Sequence, residues 1–135
     1  MIAVDTNVIA YLLVPGEHSA VAETIYERDP EWVAPLLWRS EFRNVLARGV
    51  REGSADLEDA LDALRLAEQL VEDRELQPSG EHVLRLAAAS RCSAYDCEFV
   101  AVARDLGVRL VTFDREIARR FPDDAVDGKR FVREV

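Results

Sequence analysis

Apolar residues occur along this chain in short runs that alternate with helical spacings. Residues 2–5, "IAVD", predict a buried strand that ends in an acid, and "TNVIAYLLV" after them predicts a helix that stops at Pro15-Gly16. Residues 18–28 predict a second helix, and "EWVAP" predicts a short strand closed by Pro35. The chain therefore begins in the order strand, helix, helix, strand.

The same alternation continues through the middle of the chain. "LLWRSEFRNVLARGVREG" is amphipathic and predicts a third helix, which Gly53 and Ser54 separate from a longer helix over about 56–72. "RELQP" predicts another short strand, and we expect helices at about 80–90 and 94–106.

The last part of the chain completes the pattern. After Gly107, "RLVTF" predicts a strand and residues 114–121 a short helix, and the tail predicts one more short strand with Asp127-Gly128 as a turn. Strands that alternate with helices favour a parallel sheet covered on both faces. The expected fold is therefore α/β, a three-layer α/β/α arrangement with a short, mostly parallel central sheet. In such sheets ligands bind beyond the carboxyl ends of the strands.

The composition fits one domain and limits its partners. The 135 residues are 49% hydrophobic and 32% charged, and the apolar runs are too short for a membrane span. The start, "MIAVDTNVIAYLL", lacks a basic leader, so we expect a cytoplasmic protein. The net charge of −9 argues against nonspecific coating of nucleic acid, and it leaves room for a cation site or a basic partner.

Cysteine and histidine show no pattern of a zinc site. We interpret Cys92 and Cys97 as buried thiols, because their spacing without a nearby histidine is poor for zinc. His18 and His82 are far apart in sequence and are interpreted as surface residues.

Asp96 is the first unusual position, because the helix expected at 94–106 places it on the apolar face. The residues predicted on that side are Tyr95, Phe99, Val102, Ala103 and Leu106, with Val100 at the edge. An unpaired charge there is costly. The alternative is a capping box, with Ser93 as the cap and Asp96 in the reciprocal position.

Three further acids resemble Asp96 in having two interpretations. Asp5 and Asp114 each follow a predicted strand, where each could also be a helix N-cap, and Glu41 lies one turn after Trp38, where it could be a solvated flank residue. If the acids converge, two carboxylates about 4 Å apart repel by about 4 kcal/mol at an effective dielectric of 20. A divalent cation would offset this repulsion, and Mg²⁺ or Mn²⁺ fits oxygen ligands better than zinc does.

Three segments of the chain match one family in order and spacing. They are "VDTNVIAYLL", "SEFRNVLAR" and "SAYDCEFVAVARDLGVRLVTFD". With them the chain resembles PIN-domain ribonucleases, in particular VapC-type toxins of bacterial toxin–antitoxin pairs. The resemblance implies a single PIN-like nuclease domain over residues 1–135 and a Mg²⁺- or Mn²⁺-dependent endoribonuclease.

The resemblance also implies roles for individual residues. Asp5 and Asp96 would bind metal directly, Glu41 would bind it through water or orient the nucleophile, and Asp114 would hold a second ion or position water. Thr112 would hydrogen-bond a carboxylate or the scissile phosphate. Further residues at or near the site are the polar pair Thr6 and Asn7 and the extra acids Glu98 and Glu116, whose alternative is solvated helix surface.

The implied partners are RNA, a VapB-type antitoxin with a basic or aromatic segment, and a second copy of the chain in a homodimer. Two groups of cations are candidates for phosphate contacts or, alternatively, for surface ion pairs: Arg39, Arg43, Arg48 and Arg51 in the third helix, and Arg115, Arg119, Arg120, Lys129, Arg130 and Arg133 near the end. Two other functions remain open. One is a catalytically inactive PIN-like scaffold, and the other is an aspartate-nucleophile phosphatase, although that class usually has a second Asp where this chain has Asn7.

Overall fold

A five-stranded, all-parallel sheet forms the centre of the computed structural model, which describes residues 1–134. The strands lie in the order β3-β2-β1-β4-β5. Their bounds are β1 Ile2–Val4, β2 Trp32–Pro35, β3 Glu75–Leu76, β4 Leu110–Thr112 and β5 Ala125–Asp127.

Helices α1 to α7 connect these strands in the order that the hydrophobic pattern predicts, and α8 follows β5. Their bounds are α1 Thr6–Leu13, α2 Ser19–Arg28, α3 Leu37–Glu52, α4 Leu57–Leu70, α5 Gly80–Ser90, α6 Ala94–Leu106, α7 Arg115–Arg120 and α8 Gly128–Arg133. None of the helices within residues 1–134 is both long enough and apolar enough to cross a membrane.

The strand order separates the helices into two layers. The chain moves from β1 to β2 to β3 in one direction and then returns to β4 and β5 in the other, and right-handed crossovers place the two sets of helices on opposite faces. One layer contains α1 to α4, with α8 packed on α2. In the other, α6 packs on β1, β2 and β4, and α5 packs on α6. The expected three-layer α/β/α fold is therefore confirmed.

The strand order reverses between β1 and β4, and this is where parallel α/β sheets form a crevice. These two strands are paired in register, with Ala3 opposite Leu110 and Val4 opposite Val111. Asp5 and Asp114 follow the two strands, so the topology places both acids at the same edge of the sheet.

Helix α6 buries only the middle of its predicted apolar face. Phe99, Val102 and Ala103 are buried, but Tyr95 is 64% exposed and Leu106 is 42% exposed. A 13-residue helix is about 20 Å long, whereas a three-residue strand is about 10 Å long, so both helix ends extend past the sheet. The predicted burial of Tyr95 and Leu106 is wrong for this reason.

The tail differs from its prediction in one element. Strand β5 is confirmed, but Asp127-Gly128 does not form a turn. Asp127 is instead the N-cap of α8, and its side chain accepts a hydrogen bond from the Lys129 backbone N–H at 2.9 Å. The Asp-Gly pair is typical of both turns and helix starts, and α8 is too short to show a helical period in the sequence.

Candidate active site

The four acids singled out in the sequence line one cavity of about 500 Å³ at the carboxyl ends of β1 and β4. They come from separate elements, because Asp5 and Asp114 follow strands while Glu41 lies on α3 and Asp96 on α6. The cavity is lined by Asp5, Thr6, Asn7, Ala10, Tyr11, Glu41, Asn44, Val45, Arg48, Asp96 and Asp114. Thr112, the fifth predicted site residue, is fully buried and contacts Asp5.

Asp5 is buried and tightly held, with only 8% of its surface exposed. Its Oδ1 accepts a hydrogen bond from the Thr6 backbone N–H at 2.7 Å, so the predicted N-cap role is confirmed. Its Oδ2 accepts hydrogen bonds from Thr112 Oγ1 at 2.7 Å and from Asn7 Nδ2 at 3.4 Å. Capping therefore fixes the carboxylate at the cavity wall, and the structural and functional interpretations are compatible.

Thr112 connects the two acids that follow the strands. Its hydroxyl donates to Asp5 Oδ2 and accepts a hydrogen bond from the Asp114 backbone N–H at 3.0 Å. Asp114 in turn caps α7, where its Oδ1 accepts from the Glu116 backbone N–H at 2.9 Å. One buried hydroxyl thus sets the spacing between the ends of β1 and β4.

Glu41 reaches the cavity from α3 and is held there by a short hydrogen bond. Thr6 Oγ1 donates to Glu41 Oε1 at 2.7 Å. Because the Thr6 backbone N–H also donates to Asp5 Oδ1, the two acids, which come from the end of β1 and from α3, are both hydrogen-bonded to Thr6. The alternative interpretation of Glu41 as a solvated flank residue is wrong, since its side chain faces the cavity.

Asp96 shows half of the predicted capping box. Ser93 is the N-cap of α6, and its Oγ accepts a hydrogen bond from the Asp96 backbone N–H at 3.1 Å. Within residues 1–134, the reciprocal bond from the Ser93 backbone N–H to the Asp96 carboxylate is not formed. The carboxylate instead lines the cavity with the other acids.

The acids raise one another's pKa. The pKa of the Asp5 carboxyl is raised from 3.8 to about 7, chiefly by burial and also by the negative charges of Glu41 and Asp96. The hydrogen bonds from Thr112 and from the Thr6 backbone oppose this shift. Burial also raises the pKa of Glu41, where the bond from Thr6 opposes it and the charge of Asp96 adds to it.

Asp96 experiences the same two effects. Burial raises its pKa, the charge of Asp114 raises it further, and the Ser93 hydroxyl partly offsets both. Within residues 1–134, none of the four acids forms a salt bridge. The cavity therefore concentrates negative charge. Arg48 also lines it, but no cation within residues 1–134 is ion-paired with the four acids.

The donor set fits a hard divalent cation. The ligands on offer are carboxylate oxygens, which Mg²⁺ and Mn²⁺ prefer. Within the described residues, no group of three or more His, Cys, Asp or Glu side chains is placed to hold a metal ion as the side chains stand. Mg²⁺ is usually held by one or two carboxylates, with waters and substrate phosphates completing its shell, so the cavity fits such an ion without a complete protein cage.

The two extra acids differ from each other. Burial and the charge of Glu41 raise the pKa of Glu98. Glu98 therefore interacts electrostatically with an acid of the cavity, although it does not line the cavity itself. Glu116 is bonded to Arg119 at 2.6 Å and to Arg120 at 2.7 Å, and these bonds lower its pKa. Glu116 is therefore part of a surface ion-pair group, as its alternative interpretation holds.

The structure also divides the candidate cations. Arg39 is held by Glu75 and Glu68, and Arg119 and Arg120 are held by Glu116. Arg130 lies 3.8 Å from Glu134, so the ion-pair interpretation holds for these four cations. Arg48 lines the four-acid cavity itself.

The sequence analysis missed two polar residues that line the cavity, Asn44 on α3 and Tyr11 on α1. Arg48, which was predicted only as a candidate for phosphate contact, lines the cavity as well. A spacing of three and seven residues from Glu41 on a helix was the available signal, because residues so spaced share a face. The two histidines are also less exposed than predicted. His18 packs on Tyr11, and His82 Nδ1 lies 3.0 Å from Asp105 Oδ1.

Comparison with known proteins identifies the family of this chain. The family model described as "PIN domain" matches residues 2–121. Ribonuclease VapC3 from Pyrobaculum aerophilum is 29% identical over 124 residues, which are 90% of this chain and 95% of that protein. The crystal structure of PAE2754 from the same organism superposes with a TM-score of 0.76 at 24% identity, covering 96% of this chain and 92% of that chain. The chain belongs to the PIN domain family.

Proposed function

We propose that this chain is a single-domain, Mg²⁺- or Mn²⁺-dependent endoribonuclease that hydrolyses RNA at the four-acid cavity and is the toxin of a toxin–antitoxin pair. The observation that carries the proposal is the convergence of Asp5, Glu41, Asp96 and Asp114 on one cavity without a protein cation paired to them. The likeness to Ribonuclease VapC3 supports the choice of RNA and of the toxin role. We place its action in the cytoplasm, where RNA substrates are available.

The four acids and Thr112 divide the task in this proposal. When bound, a divalent ion lowers the pKa of a water ligand and neutralises charge on the phosphate. Asp5 and Asp96 would be its direct ligands. Thr112 keeps Asp5 in place through its 2.7 Å hydrogen bond, and Asp114 would position water or a second ion.

Glu41 is the best candidate to accept a proton from the attacking water. Its Oε1 is occupied by the Thr6 hydroxyl, which leaves Oε2 for the water. Its raised pKa suits a general base, because proton transfer is most efficient when the pKa of the base lies closer to the working pH.

An apolar groove next to the cavity supports the proposed antitoxin partner. A cavity of about 420 Å³ between α1, α3 and α4 is lined mainly by apolar residues, among them Leu13, Val14, Val45, Leu46 and Ala60. Val45 lines both this groove and the four-acid cavity, so the two are neighbours. A VapB-type segment with apolar residues followed by basic ones would match these two surfaces, with its apolar residues in the groove and its basic residues in the four-acid cavity. A homodimer remains part of the proposal and is testable by sedimentation.

The test is cleavage of structured RNA by the purified chain with Mg²⁺ or Mn²⁺. We expect cleavage that stops when EDTA is added and falls by about 10²-fold or more in Asp96→Asn. The matched control is Asp62→Asn, which removes the same charge from an exposed position on α4 and should cleave like wild type.

Three results would contradict the proposal. Cleavage that survives EDTA or Asp96→Asn excludes the four-acid site as its origin. A phosphorylated Asp5 after incubation with a phosphate ester would favour the aspartate-nucleophile phosphatase. Metal binding without cleavage of any RNA would favour the inactive scaffold.

A further inference from the structure

A second cavity, of about 160 Å³, opens beside the four-acid cavity, and its residues have no task in the proposed chemistry. It is lined by three ring side chains, two cations and one acid, which are Tyr11, His18, Phe113, Arg115, Asp127 and Lys129. Tyr11 lines both cavities, so the two are neighbours. We call this second cavity the aromatic cavity.

The three rings of the aromatic cavity pack on one another. The ring centroids of Tyr11 and His18 are 4.6 Å apart, those of Tyr11 and Phe113 are 4.9 Å apart, and those of His18 and Phe113 are 5.5 Å apart. All three side chains are only partly buried, whereas Trp38 and Phe42 of the core are completely buried. The cluster therefore offers ring surface to solvent, and such surface is what unstacked bases bind.

The position of Phe113 is fixed relative to the acids. Its backbone N–H donates to Asn7 Oδ1 at 3.2 Å, and Asn7 Nδ2 donates to Asp5 Oδ2 at 3.4 Å. Its ring lies against Gly128, where an added Cβ would come within 2.8 Å of the ring carbon Cζ. The ring cluster is thus held at a set place beside the four-acid cavity.

The cations of the aromatic cavity are free for a ligand. Arg115 and Lys129 are exposed, and neither forms a salt bridge with any residue in the part of the chain that the structure describes. The one acid in the cavity, Asp127, accepts the Lys129 backbone N–H and caps α8. Two cations against one acid leave a positive balance beside the negative four-acid cavity.

We propose that the aromatic cavity is a nucleotide subsite, in which a base next to the scissile bond stacks on the ring cluster while Arg115 and Lys129 bind phosphates. The inference rests on the proposed ribonuclease function, and it adds the position of the RNA strand that flanks the scissile bond. A single-stranded RNA matches the observations better than a peptide does, because the rings and the cations lie side by side and adjoin the site of cleavage.

The test compares two labelled RNAs of equal length and charge, an oligoadenylate and its abasic counterpart. Binding is measured by fluorescence anisotropy on the Asp96→Asn background, which keeps the RNA intact. In Tyr11→Leu and Phe113→Leu, we expect the Kd for oligoadenylate to rise about five-fold or more and the Kd for the abasic strand to change less than about two-fold. Tyr11→Phe keeps the ring and should bind like the parent.

The cations give an independent readout. Arg115→Gln combined with Lys129→Gln should weaken both strands alike and reduce the slope of log Kd against log salt by about 1.4, or 0.7 per lost phosphate contact. Two matched controls should bind like the parent. Tyr26→Leu removes an exposed ring from α2, and Arg85→Gln removes an exposed cation from α5 in the other helical layer.

The results separate this inference from the proposed function. The subsite is overturned if the ring variants lose equal affinity for oligoadenylate and for the abasic strand, or lose affinity for neither. It is also overturned if the parent protein binds neither strand. Weaker binding of a short peptide containing arginine and tryptophan, with RNA affinity unchanged, assigns the cavity to peptides and also overturns it. The ribonuclease proposal is judged separately by metal-dependent cleavage in the wild-type chain. Melting temperatures show whether each variant is folded. If both ring variants unfold, the salt dependence of Kd in the Arg115 and Lys129 variants tests the subsite, because these two side chains are exposed.

Discussion

Arg39 and Glu41 lie two residues apart on α3, yet their side chains enter two charge clusters of opposite character. Arg39 binds Glu75 through two nitrogens at 2.6 and 2.7 Å and Glu68 at 2.8 Å. Trp38 Nε1 also donates to Glu75, at 2.7 Å. We call these four residues the Arg39 network. Glu41, on the other side of the helix, faces three more acids.

The pKa shifts of the two clusters differ in sign. The hydrogen bonds from Arg39, followed by that from Trp38, lower the pKa of Glu75 although burial opposes them. Burial and the charge of Asp96 raise the pKa of Glu41. The Arg39 network is complete within the protein, whereas the four-acid cavity is satisfied only when something positive or protonated enters it. Unpaired acids in a cleft are therefore the stronger indication of function.

The largest expected effect is on RNA cleavage, which should depend on the four-acid cavity and not on the Arg39 network. Glu41→Gln should keep the hydrogen bond from Thr6 through the amide oxygen but lose the base, so RNA cleavage should fall by about 10²-fold or more. Its free energy of unfolding in EDTA should stay unchanged or rise, because one of several repelling charges is gone. Cleavage assays and urea unfolding measure both quantities, and a variant that is both active and less stable would contradict the comparison.

Thr112→Val tests the link between the strand ends. The change keeps the side-chain shape but removes the donor to Asp5 and the acceptor for the Asp114 backbone N–H. We expect a loss of about 1–3 kcal/mol in the free energy of unfolding, since buried polar groups are left without partners. Thr112→Ser keeps the hydroxyl and should recover most of the loss, and equal stability of the two variants would contradict the role of the hydrogen bonds.

Glu75→Gln is the counterpart of Glu41→Gln, with the same charge removed from the Arg39 network. We expect cleavage close to wild type and a loss of about 1–2 kcal/mol in the free energy of unfolding, because the Arg39 and Glu75 side chains are only 31% and 14% exposed. Urea unfolding beside a cleavage assay measures both. A large loss of cleavage with unchanged stability would show that the two clusters are not distinct.

The pH dependence of stability in EDTA should be the smallest effect. Glu75 has a lowered folded pKa, so its contribution is present above the ordinary glutamate pKa of 4.5 and is lost as the pH falls through the folded value. Glu41 has a raised folded pKa, so its contribution is present below 4.5 and is lost as the pH rises through the folded value. Lowering the pH should reduce the difference in free energy of unfolding between wild type and each Gln variant, by about 1 kcal/mol or less.

Urea unfolding over a range of pH distinguishes the two signs. At neutral pH, Glu75→Gln should be less stable than wild type, and Glu41→Gln should be at least as stable. The same sign for both variants would contradict the assignment of opposite pKa shifts.

The sequence was informative wherever the local pattern decides the structure. The alternation of strands and helices predicts the three layers, and the position of Asp5 and Asp114 after strands predicts that they meet at one sheet edge. Asp96 was identifiable because a capping box alone does not explain an acid on an apolar face. Short segments without a full period, such as α8, do not carry that information.

Long-range pairings were not predictable from the sequence. Arg39 contacts Glu75 only because β3 lies beside β2 in the sheet. The sequence of α3 shows several arginines near Glu41 but does not indicate which of them forms an ion pair. The contact of Phe113 with Tyr11 and His18 depends on how the loop before α2 returns to the end of β4. No spacing in the sequence encodes such a contact.

The most direct test of the four-acid cavity is a calorimetric titration of the metal-free chain with Mn²⁺, in wild type, Asp96→Asn and Glu75→Gln. Wild type and Glu75→Gln should bind Mn²⁺ alike, and Asp96→Asn should bind it at least about ten-fold more weakly. Binding that is unchanged in Asp96→Asn, or absent from wild type at millimolar Mn²⁺, would contradict the proposal that the four acids converge to hold a cation.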